Sequence, residues 1–178
     1  TGVLDVTRGE MGTRGTPEIR AEEAESAAKI LKLDVRENLE LPDGRVFLTD
    51  ENRVKLVRVL RRVQPKVILT HQSDDPHPDH NTIVQLVREA ARLSSMQKYD
   101  GDFGQERIKV PIVAHSIFSQ RVVPSFIVDI SEFLDEKMEA ILAYKSQFHN
   151  LNSDEPETRL TGKQFLDDLK NQSRYFGS

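Results

Sequence analysis

The chain has 178 residues, 37% apolar and 30% charged, with a net charge of -4 and no cysteine. This excludes a disordered chain and a disulfide framework, leaves any metal to histidine and carboxylate, and fits one domain with a buried core. No run of eighteen apolar residues is present to cross a membrane, and the scattered Lys and Arg argue against a nucleic-acid partner. The missing cysteine fixes no compartment but fits a cytosolic, bacterial-type enzyme. The first residue is Thr1, followed at once by the apolar alternation Val3-Leu4-Asp5-Val6. The expectation is a chain that lacks its native start, with no signal peptide ahead of the first strand.

Val3–Thr7 reads as a strand, and residues 8–15, with glycines at 9, 12 and 15, as a loop. Thr16-Pro17 signals a helix start, because the Thr side chain can cap backbone N–H groups and Pro at the first position has no N–H to lose. That helix is predicted to reach about Leu31. An extended piece over residues 35–41 leads into the turn Pro42-Asp43-Gly44. A second helix opens at Thr49-Asp50 and is stopped by Pro65. Val67-Ile68-Leu69-Thr70 is a continuous apolar run, as in a strand buried on both faces of a parallel sheet. A polar loop, residues 72–79, then precedes a helix from His80 to Ser94. After an irregular connection, strands are predicted over Ile112–Phe118 and Phe126–Ile130. A helix from Glu132 to Phe148 follows, with Asp129 and Glu132 as its capping box, and a last helix runs over Thr161–Tyr175. Strands alternating with helices imply an α/β fold: a Rossmann-like, mostly parallel sheet with helices on both faces. Ligands gather at the carboxyl ends of strands in such sheets, so the loops there are searched first.

The loop after the third strand carries the chemistry. Three of the five histidines (His71, His77, His80) and three aspartates (Asp74, Asp75, Asp79) fall within residues 71–80. Neutral imidazoles ligate zinc, carboxylates orient imidazoles, and two prolines stiffen the loop. From the residues alone this is a candidate metal or acid–base site. The competing reading is an ordinary polar loop, because an H-x-x-H pair is weak evidence of a metal site.

His77-Pro78-Asp79-His80, between a strand and a helix, resembles the second signature of the PIG-L/LmbE-like metal-dependent deacetylases. Further segments agree in order and spacing: Asp5 to Glu10 with Gly12 and Arg14, Gly15 to Ala24, Leu41-Pro42-Asp43-Gly44, Val128-Asp129-Ile130-Ser131, and Ala143 to Phe148. The resemblance spans nearly the whole chain and is nearest to the bacillithiol-biosynthesis deacetylases. It implies removal of an acetyl group from an N-acetylglucosaminyl conjugate, such as N-acetylglucosaminyl malate, with one catalytic Zn2+. It also implies a cytoplasmic enzyme with a small-molecule substrate, and assembly into homo-oligomers. The family's first signature, His-Pro-Asp-Asp, supplies two ligands and the general base. This sequence lacks it, so the expectation is a single-domain fragment over residues 1–178, missing the first strand–helix unit and the C-terminal end. With one of three ligands, these residues alone are expected to bind zinc weakly and hydrolyse little.

Residue by residue, the resemblance makes His80 the metal ligand. His77 is the group facing the acetyl carbonyl, either stabilising the oxyanion or protonating the leaving amine, and Asp79 is its carboxylate partner. Arg20 and Asp43 become contacts to the sugar. On the residues alone His80 could be a solvated helix-start histidine and Asp79 a helix cap. Arg20 could form an exposed ion pair with Glu23, and Asp43 could serve turn chemistry only. His71 could line the site, although a structural role is the favoured reading. His115 reads as a core histidine or one that supports the site from behind, His149 as a helix-end residue, and Arg121 as a solvated loop residue that could otherwise reach an acidic substrate. A different class of function, a non-catalytic sugar-binding or scaffold protein without the first metal motif, stays open. A nucleotide-binding protein is disfavoured, because glycines 9, 12 and 15 do not have phosphate-loop spacing.

Overall fold

The structure is a computed structural model that describes residues 1–117, 123–148 and 154–177. It is an α/β chain. In order its elements are β1 (Gly2–Thr7), α1 (Pro17–Ile30), β2 (Val35–Leu41), α2 (Asp50–Val63), β3 (Val67–His71), α3 (Pro78–Leu93), β4 (Ile112–Ser116), α4 (Leu134–Leu142) and α5 (Lys163–Gly177). Single 3-10 turns occur at Gly101–Phe103, Ser131–Phe133 and Arg159–Thr161. No helix among the described residues is long and apolar enough to cross a membrane. The chain forms two compact units, Thr1–Glu40 with Pro124–Ser178, and Leu41–Val123.

In the first unit β1 pairs with β2, and α1 packs on α4. Helix α1 starts where Thr16-Pro17 predicts: the Thr16 hydroxyl accepts the Ile19 N–H at 3.3 Å. Arg36 on β2 ties the unit together. Its guanidinium makes two bonds to Asp5 on β1, at 2.9 and 3.1 Å, and donates to the Ala24 carbonyl at 2.9 Å and the Tyr144 hydroxyl at 2.6 Å. A planar fork suits such multiple demands.

In the second unit α2 and α3 pack together and bury Leu56, Val57 and Leu60 on one side and Ile83, Val84, Leu86, Val87, Ala90 and Ala91 on the other. These spacings follow the helical repeat. Thr49 caps α2 by accepting the Asn52 N–H at 3.2 Å. The buried Arg61 donates to the carbonyls of Ser94 (3.3 Å) and Met96 (2.8 Å), where the free carbonyls at the end of α3 favour a cation. Strand β3 runs parallel to β4, in register from Val67–Ile112 to His71–Ser116, and α3 packs against β3. This pairing carries the polypeptide from the end of β3 into the loop 72–77 and then onto α3.

The expected α/β architecture with parallel strands is present, and the described strands group as two two-stranded sheets. Several local expectations need correcting. The β3 run is not buried on both faces: Val67 and Leu69 are 53% and 73% exposed, whereas Thr70 is 8% exposed. Side chains alternate across a strand, so α3 covers one face and leaves the face of Val67 and Leu69 open among the described residues. Helix α3 begins at Pro78, two residues before His80, because His77 takes the capping position. No strand forms over residues 126–130, and Phe126, Ile127 and Val128 are all exposed. An apolar run becomes a strand only with a hydrogen-bonding neighbour, and none stands beside it among the described residues. Helix α4 is shorter than predicted, and Asp129 bonds the N–H and hydroxyl of Ser131 (2.9 and 2.6 Å) rather than forming a box with Glu132. Phe118, Arg121 and His149 lie outside the described residues.

Candidate active site

The loop between β3 and α3 is bonded to itself and to the first turns of α3. Asp74 adopts a left-handed backbone, φ 62°, a conformation that Asp tolerates better than most residues. The chain is then turned back so that Asp75 lies beside the start of α3. Asp75 is buried, and one carboxylate oxygen accepts the His77 backbone N–H and lies against the Nδ1 of His80, each at 2.9 Å. Asn81, one turn into α3, clamps the Asp75 backbone from both sides. Its Oδ1 accepts the Asp75 N–H at 2.9 Å, and its Nδ2 donates to the Asp75 carbonyl at 2.7 Å.

The three histidines form a stack. His80 lies in the middle, with ring centroids 4.1 Å from His71 and 4.7 Å from His77 and planes within 23° and 27° of parallel. Burial pushes the His71 imidazole below its ordinary value, and His80 adds to the effect. A neutral imidazole is the form that metal chemistry requires. His77 caps α3: its Nδ1 accepts the Asp79 N–H at 3.2 Å. An acceptor nitrogen holds no proton, so the His77 proton sits on Nε2.

Asp79 is buried, at 4% exposure, and its carboxylate does not meet the His77 ring. The two oxygens accept the backbone N–H groups of Gly44 (2.7 Å) and Val46 (3.2 Å). The expected carboxylate–imidazole pairing of Asp79 with His77 is corrected accordingly. The physical reason is that the turn after Pro42 presents two donors that need an acceptor, and Asp79 supplies it. Gly44 makes this turn possible through its left-handed backbone, φ 72°. Asp43, in the same turn and half-buried, is thereby fixed relative to the start of α3.

Arg20 belongs to the first unit and does not pair with Glu23. Its guanidinium donates to the Gly9 carbonyl at 2.7 Å, lying so close over the loop that a Cβ at Gly9 or Gly12 would come within 2.0 or 2.7 Å of it. Glu23 instead accepts the N–H and hydroxyl of Ser146 at 2.6 and 2.8 Å. His115 is exposed rather than in the core, and its Nδ1 donates to the His71 carbonyl at 2.8 Å. Sequence reasoning missed Asp75 and Asn81 and undervalued His71. The signal was the density of aspartate in the loop, but three aspartates compete for one role and only the path of the chain selects among them.

A metal ion would find one arm of a site here. His80 is bonded through Nδ1, which leaves Nε2 as the ring nitrogen that could meet a metal. Among the described residues no group of three or more His, Cys, Asp or Glu side chains stands arranged to hold a metal. The residues present therefore fit a partial donor set and not a whole one.

Comparison with known proteins agrees with the motifs. The profile of the PIG-L family, described as GlcNAc-PI de-N-acetylase, matches residues 1–91. Diacetylchitobiose deacetylase of Thermococcus kodakarensis is 28% identical over 83% of this chain and 56% of its own length. The 4-oxalmesaconate hydratase of Pseudomonas putida is 30% identical over 80% of this chain and 56% of its own. The chain thus spans a little over half the length of these curated relatives. Among solved structures, the conserved protein TT1542 of Thermus thermophilus superimposes with a TM-score of 0.86 at 37% identity, covering 99% of this chain and 74% of that one. With its α/β fold, its parallel β3–β4 pair and the profile match over residues 1–91, the chain belongs to the PIG-L/LmbE-like family.

Proposed function

We propose that the chain carries one side of the hydrolytic site of a metal-dependent N-deacetylase acting on an N-acetylglucosaminyl conjugate. One observation carries the reading: His80 is held by Asp75 within a stack of three histidines at the first turn of α3, with Nε2 left for a ligand. A deacetylase relative and the family profile support the substrate class. Deacetylases of this family are generally metal-dependent, and a bound Zn2+ would supply Lewis-acid activation of water, lowering its pKa towards about 7.

The rest of the work falls to side chains of this chain. His80 would hold the metal through Nε2. His77 keeps a proton on Nε2, because Nδ1 is engaged by the Asp79 N–H, and so offers a neutral N–H donor to the acetyl oxygen as negative charge develops there. Of the two roles open to His77, this protonation state favours the oxyanion donor. Asp79 acts through the backbone, fixing the turn that carries Asp43. Arg20 and Asp43 are retained as contacts to the sugar on the family resemblance, which is also the support for reading a cytoplasmic enzyme of bacillithiol biosynthesis.

The test is acetate release from N-acetylglucosaminyl malate by the protein as its gene encodes it, with zinc content measured alongside. His80→Ala is expected to lose both zinc and turnover. A His80→Ala protein with the zinc content and rate of the parent would remove His80 from the site.

The hydratase relative favours a second reading. A hydratase adds water to its substrate, so a histidine that activates or steadies an oxygen serves either reaction. Consumption of 4-oxalmesaconate would support that alternative.

A further inference from the structure

We infer that Asp75 is the positioning residue that sets the tautomer and aim of His80. No family motif quoted above includes it. The inference deepens the reading of His80 as a metal ligand and rests on it for its purpose, although the geometry stands by itself.

A histidine can ligate through either ring nitrogen, and the nitrogen that carries the proton cannot. In the loop, Asp75 settles the choice. Its carboxylate is acceptor-only when ionised, and it lies 2.9 Å from His80 Nδ1, so the proton must sit on Nδ1 and the lone pair on Nε2. The carboxylate side chain is only 6% exposed, while the His80 side chain is 37% exposed. The buried partner is therefore the fixed one and the ring the presented one. The same oxygen accepts the His77 N–H, so one atom places both the ring of His80 and the backbone of the capping histidine. Asn81 grips the Asp75 backbone at both N–H and C=O, which fixes the point from which the carboxylate reaches. Stacking on His71 and His77 limits rotation of the ring out of this orientation. A carboxylate behind a ligating imidazole also raises its basicity, and loss of such a partner weakens metal binding by about 10–100-fold.

The experiment reads the tautomer directly. Long-range 1H–15N correlation spectra of the metal-free protein at pH 8 should show His80 protonated at Nδ1. Asp75→Ala should move it towards the Nε2–H form. Asp75→Asn keeps an acceptor oxygen in place and should retain the Nδ1–H form, and this rescue distinguishes positioning from a merely structural role. Zn2+ titrated into the protein as its gene encodes it should bind about 10–100-fold more weakly to Asp75→Ala. The wild-type spectrum already decides the first point: His80 protonated at Nε2 overturns the inference, even if Asp75→Ala fails to fold. An unchanged tautomer in a folded Asp75→Ala overturns it too, and if the wild type then binds zinc and releases acetate, the deacetylase reading survives without it. Conversely, a tautomer shift in a protein that never binds zinc upholds the role of Asp75 while sinking the metal reading.

Discussion

Two loops, one after β1 and one after β3, show opposite ways of building a polar region. The second, residues 72–77, carries a set of bonds between near neighbours. Asp75 bonds His77 and His80, and Asn81 bonds Asp75, all within six residues. The first, residues 8–15, is held from afar. Arg20 lies over Gly9, Gln147 donates to the Arg14 carbonyl at 2.8 Å, and Glu155 accepts from Arg14 and the Gly15 N–H at 3.3 and 3.0 Å. Short-range bonds can orient reactive side chains at low cost to the fold, whereas a loop assembled from distant residues couples its shape to the packing of its unit. Changes in the second should therefore alter chemistry first, and changes in the first should alter stability first.

His77→Ala gives the largest expected effect. If His77 is the oxyanion donor, kcat falls by about 10²–10³-fold with zinc content unchanged, since removal of one such donor has that cost. An unchanged kcat would end that role. Asp79→Ala comes next. It leaves the Gly44 and Val46 N–H groups without their carboxylate, at a cost of about 1–3 kcal/mol in urea unfolding. A variant as stable as the parent but with reduced kcat would return Asp79 to the His77 ring. Gly15→Ala is the smallest. Gly15 has φ 70°, and a Cβ there would stand 2.7 Å from the Ser146 hydroxyl. Left-handed backbone in a non-glycine residue costs about 1–2 kcal/mol. That corresponds to a Tm lower by about 2–8 °C in a domain of this size. Loss of turnover without loss of Tm would break the contrast between the loops.

The same contrast explains what could be read from the sequence. Helix starts at Thr16-Pro17 and Thr49 were legible because a cap involves residues only three apart. The histidine loop was legible as a site for the same reason, down to His77 and His80. What escaped was long-range. Ala143 to Phe148 was visible as a motif, but its roles were not: Tyr144 meets Arg36, Ser146 meets Glu23, and Gln147 meets the Arg14 carbonyl. The exposure of Leu69 and the unpaired run 126–130 escaped likewise, since an apolar strand pattern says nothing about which neighbour will cover it. The bonds that Asp79 accepts from Gly44 and Val46 escaped because those residues lie 35 and 33 positions away in the chain.

Deacetylation and hydration are told apart by which substrate is consumed. The most direct measurement is kcat/KM of the gene-encoded, zinc-loaded protein on N-acetylglucosaminyl malate, by acetate release, beside its kcat/KM on 4-oxalmesaconate. The account predicts acetate release that disappears in His80→Ala, with no consumption of the unsaturated acid. Turnover of 4-oxalmesaconate without any acetate release would contradict it.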